Sequence, residues 1–280
     1  MQVTLWGTRG SLATPGPETA RYGGNTSCVA VRGREGSVIV LDAGTGIRRM
    51  AVTIDASVRR IDVLLTHLHM DHIQGLGFFA PLYRHDVEVN IWGPASTQMS
   101  LQARLMRYLS PPLFPICLRE LPCSLKLHEV PRGEMEIGEF RVASALVCHP
   151  GPTVGYRISE GPGSVLTYLP DHEPALGAGV FPSLPRAWTS GGALAEASDL
   201  LIHDSQYTTH EYPARIGWGH SSLKHMLDFA TLAETKHLVP FHHDPCRSDA
   251  DLDRLMVEAI DEAKPAYRVT PGQEGMTFAL

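Results

Sequence analysis

Three imidazoles and a carboxylate lie within six consecutive residues, His67-Leu68-His69-Met70-Asp71-His72. Residues i and i+2 share a side only in an extended segment, so His67 and His69 can bind one ion if they lie outside a helix. The apolar run at 61–66 predicts a strand that ends at this pair. Asp71 and His72 then lie on a bend, where they can face a second ion. Since imidazole and carboxylate are usual zinc ligands, the run predicts a metal site with room for two ions.

Polar residues follow several other apolar, strand-like runs of the sequence. These residues are Asp42 at the start of segment 42–46, His149, Asp171 and His242. A lone His or Asp at a strand end is more often a hydrogen-bonded loop residue than a ligand, so the order of the residues carries the argument. In this order, with the run at 67–72, they resemble the metallo-β-lactamase superfamily over most of the chain. There, an Asp-x-Gly loop similar to Asp42-Ala43-Gly44 precedes the metal-binding run.

The resemblance implies a dinuclear centre with a defined ligand set. One ion would be bound by His67, His69 and His149, the other by Asp71, His72 and His242, and Asp171 would bridge them. His243 is the rival of His242, because successive residues of a strand face opposite sides and only one can point inward. Zinc suits the histidine-rich set, and manganese and iron accept the same ligands.

His220 and Asp204 lie in two motifs that resemble the ribonuclease Z-like phosphodiesterase group, 217–222 and 199–204. The resemblance implies that a metal-bound hydroxide attacks phosphorus while His220, oriented by Asp204, assists the departing oxygen. A histidine held by a carboxylate is biased towards its protonated form, as such a step requires. The plainer interpretation is that His220 only precedes a helix N-cap at Ser221 or Ser222 and that Asp204 closes a strand.

The expected substrate is a small or cyclic phosphodiester. Relatives that process transfer RNA carry a long arm between the counterparts of His149 and Asp171, whereas this chain has room there for about one hairpin. Lys and Arg total 24 against 30 Asp and Glu, a net charge of −6, which disfavours a long nucleic acid as partner. Hydrolysis of a thioester or lactam, and a non-catalytic metal-bearing binding module, are the alternatives.

The N-terminal segment 5–28 resembles the Gly-Thr-rich opening of bacterial relatives in this branch. Its glycines let the backbone approach a ligand closely, and Arg9 could contact a phosphate oxygen in a bidentate manner. A purely geometric role for the turn is equally compatible with the sequence.

The resemblance implies an α/β (α+β mixed) fold, a four-layer αββα sandwich, with residues 1–280 forming a single domain. Apolar periodicity predicts helices after Ser248 as far as Pro265, after Ser221, and from Thr97 to Leu109. Three prolines make 110–115 an irregular loop: a wall or lid at the site, a surface for a second subunit, or a stiff connector.

Composition is that of a compact enzyme, at 280 residues and 43% hydrophobic. No apolar run reaches membrane-spanning length, and the N-terminus has no signal-peptide pattern, so no membrane association is expected. Five cysteines without a Cys-x-x-Cys pair favour a reducing cytoplasm. A homodimer is compatible with the sequence, which does not define the oligomeric state.

Overall fold

The computed structural model describes residues 1–131, 133–161, 163–178, 181 and 184–280. The strands are β1 (Gln2–Gly7), β2 (Cys28–Arg32), β3 (Val38–Leu41), β4 (Arg60–Leu64), β5 (Glu88–Gly93), β6 (Ser124–Glu129), β7 (Gly133–Ile137), β8 (Phe140–Leu146), β9 (Val154–Glu160), β10 (Ser164–Leu169), β11 (Leu200–Asp204), β12 (His237–Phe241), β13 (Arg268–Val269) and β14 (Thr277–Ala279). The α-helices are α1 (Ile47–Ala51), α2 (Met70–Ile73), α3 (Leu101–Leu105), α4 (Gly192–Ala195), α5 (Leu223–Leu232) and α6 (Asp249–Ala263).

Within the described residues, the strands form two seven-stranded mixed sheets with matching arrangements. The first has the order β14-β1-β2-β3-β4-β5-β6 and the second β13-β12-β11-β10-β9-β8-β7. In the first sheet β3 to β6 are parallel and the remaining pairs are antiparallel. In the second, β10 to β13 are parallel, and β7 to β10 pair antiparallel.

Alternation along the buried strands explains the layers. In β2, Val29 and Val31 contribute to the apolar cluster between the two sheets, while Cys28 and Ala30 belong to the cluster that contains residues of α1 and α3. Leu201 of β11 likewise joins α5 and α6 in a third cluster, away from its neighbours in the strand. Since successive strand residues face opposite sides, these sheets bury both faces. The four-layer αββα sandwich is confirmed.

Two of the three predicted helices are confirmed and the third is shorter than predicted. Ser248 caps α6 through a reciprocal capping box with Asp251, and Ser222 caps α5. The predicted helix from Thr97 to Leu109 is limited to α3. The Ser100 side chain accepts a hydrogen bond from the Ala103 amide, so the helix starts there, and the residues before it line a cavity described below.

The proline-containing loop at 110–115 is irregular, as predicted. Phe114 is buried in the cluster beside α1 and α3, with its ring against Phe78 and Tyr108, while Leu113 is exposed. The loop is therefore anchored to the helix-side core of the first sheet, which agrees with a stiff connector. None of the helices that the structure describes is long and apolar enough to span a membrane.

Candidate metal centre

The structure brings together all seven residues that were predicted to bind metal. They form two groups, and within each group one nitrogen or oxygen atom of every side chain lies within 4.8 Å of the others. The outer group is His67, His69 and His149, and the deep group is Asp71, His72, Asp171 and His242. Two of the seven residues follow β4, His67 and His69, and two lie in α2, Asp71 and His72. The other three follow β8, β10 and β12. The site thus lies where strand ends of the two sheets meet.

The outer group is three imidazoles at the border between interior and solvent. His67 is buried, His149 is half-buried and His69 is exposed. The Nε2 atom of His149 lies 3.1 Å from Nδ1 of His69, and the His149 Nδ1–H donates to the Gly219 carbonyl at 2.8 Å. Burial lowers the pKa of His67, which favours the neutral imidazole that a metal ion binds.

The deep group is fully enclosed. His72 Nε2 lies 2.9 Å from Asp171 Oδ1 and 3.3 Å from Asp71 Oδ2. His242 Nε2 lies at 3.3 and 3.2 Å from the same two oxygens, and 3.4 Å from His72 Nε2. Two carboxylate oxygens and two ring nitrogens therefore converge on one small volume.

The outer hydrogen bonds of these imidazoles assign their tautomers. His72 Nδ1 lies 2.8 Å from Asp42 Oδ2, and His242 Nδ1 lies 2.9 Å from Gln206 Oε1. Both partners are acceptors, so each Nδ1 carries a proton, and in a neutral ring Nε2 then presents a lone pair to the carboxylates. Facing acceptors repel one another unless a positive charge lies between them.

The donor set fits divalent cations. Asp171 Oδ1 and His67 Nε2 are buried and have no hydrogen-bond partner among the described residues, as expected for atoms that bind a metal. Burial alone lowers the pKa of His72, but the carboxylates of Asp171, Asp71 and Asp42 outweigh it and raise that pKa well above its ordinary value. The deep group therefore requires positive charge, supplied either by protons or by metal.

The backbone places His242, and not His243, beside the deep group. His242 adopts a φ of 58° at the end of β12 and faces the deep group, whereas the His243 ring bonds Ser205 Oγ and the Gly272 carbonyl. Burial lowers the pKa of His243 to about 4, so this ring stays neutral within the core.

His220 and Asp204 form a close pair beside both groups. Their Nδ1 and Oδ2 atoms are 2.6 Å apart, and His220 Nδ1 lies 3.9 Å from Asp171 Oδ2. The His220 ring stacks on His242 at 5.0 Å and meets His149 edge-on at 5.0 Å. Burial by itself lowers the pKa of His220, but Asp204, with Asp171 and Asp71 behind it, raises it to about 9. Ser222 caps α5, as the plainer interpretation held. His220 precedes this cap and in addition lies next to the site.

The N-terminal turn contacts the site through its backbone rather than through Arg9. The Arg9 side chain is fully buried and donates to the carbonyls of Gly23, Asp244 and Arg247, which supports the geometric interpretation of the turn and not a phosphate contact. Gly10 lies against the His242 ring, where a Cβ atom would come within 2.3 Å of Nδ1. The glycine thus serves close packing on a candidate ligand.

The supporting roles of three residues were not identified from the sequence. Asp42 orients His72 and also accepts bonds from Thr66 and Tyr168, Gln206 orients His242, and the Ser11 amide donates to Asp71 at 2.7 Å. Only Asp42 had a signal, its place in the Asp-Ala-Gly loop; that motif does not reveal which side chain it contacts.

Comparison with known proteins places these observations in a family. Residues 38–243 match the model of the β-lactamase superfamily domain. The chain belongs to the metallo-β-lactamase superfamily. It is 24% identical to a ribonuclease Z of Haloarcula marismortui over 99% of this chain and 96% of that protein. It is 26% identical to a ribonuclease Z of Crocosphaera subtropica over 92% of each.

A solved structure with the same fold is the metallo-β-lactamase fold protein YhfI from Bacillus subtilis. The two share 17% identity over 99% of each chain, with a TM-score of 0.71. Given this family membership and the His/Asp clusters, the chain is a metal-dependent hydrolase that uses divalent ions. The alternative of a non-catalytic binding module is therefore not supported.

Proposed function

We propose that the protein is a dinuclear phosphodiesterase that acts on a small or cyclic phosphodiester. The outer group would hold one ion, Asp71, His72 and His242 the other, and Asp171 would contact both; zinc is the favoured metal. The observation that carries the proposal is the His220–Asp204 pair beside the two groups, because thioester or lactam cleavage does not require it.

The chain's own residues supply a proton to the leaving group. Divalent cations bound here would make a water nucleophilic and offset the negative charge that develops on the phosphoryl group. Asp204 holds His220 through Nδ1 and is itself oriented by the amides of Gln206 and Ser221. Nε2 of His220 is then the atom that can protonate the departing oxygen. Cations at Asp171 and Asp71 would offset part of the charge that raises the His220 pKa, bringing it closer to neutrality.

The cavity beside the outer group favours a small substrate with an uncharged, largely apolar substituent. It encloses about 1250 Å³ and includes His67 and His69 among its lining residues. Leu68, Leu146 and Val147 line it together with prolines and short polar side chains. Of the described residues that line it, the one Lys or Arg is Arg104, whose guanidinium donates to the Pro94 carbonyl. The described lining residues therefore offer little charge compensation to a polyanionic chain.

An RNA substrate is the second candidate, because the curated relatives are named ribonuclease Z. The segment between His149 and Asp171 argues against an RNA substrate. Most of its described residues belong to β9 and β10, which pair with each other in the sheet from Ser164 with Glu160 to Tyr168 with Tyr156. That segment therefore has little chain left for a projecting arm.

Replacement of His220 tests the proposal. His220→Ala should lower turnover of a cyclic nucleotide, whose leaving alkoxide needs a proton, roughly 100- to 10,000-fold, because the leaving oxygen loses its proton donor. Metal content should stay near that of the wild type. A fully active His220→Ala protein would refute the leaving-group role.

Asp204→Asn and a panel of substrates separate the alternatives. Without the carboxylate the His220 pKa falls, so the protonated form, and with it activity, should be lost at lower pH than in the wild type. Cyclic nucleotides, a structured RNA, a thioester and a lactam should be assayed side by side. Preference for the RNA would support the second candidate, and cleavage of thioester or lactam alone would exclude phosphodiester chemistry.

A further inference from the structure

Glu173 is a buried carboxylate two residues after Asp171 with no role in the chemistry described above. The residue is only 1% exposed. Among the described residues, the partners of its carboxylate are all hydrogen-bond donors: the Tyr212 hydroxyl at 2.8 Å, the Gly217 amide at 2.9 Å and the Gly219 amide at 2.8 Å. Both carboxylate oxygens therefore act as hydrogen-bond acceptors.

The two amides belong to a loop that contains two glycines with positive φ. Gly217 and Gly219 have φ values of 84° and 86°, a conformation that glycine adopts readily and other residues rarely do. Glu173 bridges both amides with its two oxygens. The carboxylate therefore fixes the segment that leads directly into His220.

The same loop reaches the outer group through Gly219. Its carbonyl accepts the Nδ1–H of His149 at 2.8 Å, and a Cβ at this position would lie 2.3 Å from that nitrogen. The Glu173 amide also donates to the carbonyl of Cys148, the residue before His149. Glu173 is thus connected to His149 from two sides, by its own backbone and by way of Gly219.

We propose that Glu173 is a positioning residue that orients His149 towards the outer metal position and His220 towards the leaving group. The inference rests on the proposed dinuclear function and adds to it a residue that touches neither metal nor substrate. Partners that orient a metal-binding histidine commonly change metal affinity or activity about 10- to 100-fold when they are replaced.

Glu173→Gln is the informative variant, because it keeps the shape while one oxygen becomes an NH₂ group. That group would face the amide of Gly217 or Gly219, donor against donor, and push the loop away. In titrations of the metal-free protein with Co²⁺ alone, the wild type should bind two ions. Glu173→Gln should weaken one binding event about 10- to 100-fold and leave the other unchanged. The affected event should be the one that His149→Ala abolishes.

Glu211→Gln is the matched control. Glu211 accepts from the Thr208 amide at 2.9 Å in the same region of the chain but bonds neither glycine, so both Co²⁺ affinities should remain those of the wild type. With both positions saturated by Co²⁺, kcat of Glu173→Gln on a cyclic nucleotide, whose leaving alkoxide needs a proton, should still fall, because His220 follows the displaced loop. Should Glu173→Gln not fold, Glu173→Asp, which stays charged but is too short to reach both amides, should produce the same selective loss.

The outcomes distinguish the two proposals. A wild type that binds fewer than two Co²⁺ ions overturns the dinuclear site and the inference with it. A wild type that binds two, together with a folded Glu173→Gln protein that binds both as tightly, overturns the inference alone. Equal weakening of both events, accompanied by a lower melting temperature, also overturns it, since that pattern marks a general structural role.

Discussion

The outer and deep groups differ in how their imidazoles are held. In the deep group every side chain is buried, and His72 and His242 are oriented by the side chains of Asp42 and Gln206. In the outer group His69 is exposed, and His149 is oriented by the carbonyl of a glycine loop. A position fixed by buried side chains suits permanent occupancy, whereas one beside the cavity is placed to meet substrate. The two positions should therefore respond differently to substitution.

The largest effect should come from the residue that the groups share. Asp171 has Oδ1 2.9 Å from His72 Nε2 and Oδ2 3.7 Å from both His67 and His149 Nε2. Asp171→Ala should remove metal from both positions and lower turnover beyond the ~10- to 100-fold loss expected for an outer partner. Metal analysis measures the number of bound ions, and diesterase assays measure the turnover. If the Asp171→Ala protein retained one tightly bound ion, that metal position would not depend on Asp171, which would contradict a shared carboxylate.

Asp42→Asn should affect the deep group selectively. An NH₂ group in place of Oδ2 would face the Nδ1–H of His72 and the Tyr168 hydroxyl, and in place of Oδ1 it would face the Thr66 amide, so donors oppose each other in either orientation. Affinity for the deep ion should therefore fall about 10- to 100-fold while the outer ion is retained. Co²⁺ titration resolves the two events. Asp62→Asn, a buried carboxylate that bonds Arg60 and Trp92, is the control and should leave both events unchanged. A loss of Co²⁺ affinity confined to the outer position would contradict the assignment of Asp42 to the deep group.

The smallest effect should come from the cavity wall next to the outer group. Leu146 is 66% exposed, so Leu146→Glu should fold normally while it removes apolar contact and repels an anionic substrate. KM for bis(p-nitrophenyl) phosphate should rise by up to about tenfold, equivalent to roughly 1.4 kcal/mol, with kcat and metal content unchanged. Val257→Glu, at a 58% exposed position on α6, should alter neither constant. An unchanged KM in Leu146→Glu would place the substrate elsewhere.

The sequence predicted those parts of the site that depend on local order. The run at 67–72 and the polar residues after apolar runs indicated the candidate ligands, because strand ends of a layered sandwich converge at one edge. The order of these motifs could not reveal which distant side chains orient the ligands: Asp42 and His72 are 30 residues apart, and Gln206 and His242 are 36 apart.

The errors have similar physical causes. A phosphate contact by Arg9 was one of two interpretations, but the guanidinium donates to backbone carbonyls, two of them 235 and 238 positions away. The helix predicted over 97–109 follows apolar spacing, yet the Ser100 cap confines it to α3. Spacing indicates which face of a segment is apolar, whereas caps and distant carbonyls depend on the packed structure.

The most direct test of the account is to locate the metal ions in crystals of the protein grown with zinc. Anomalous diffraction should give two peaks per chain, one among His67, His69 and His149 and one among Asp71, His72 and His242, with Asp171 in contact with both. A single peak, or none at saturating zinc, would contradict the dinuclear centre on which the proposed chemistry depends.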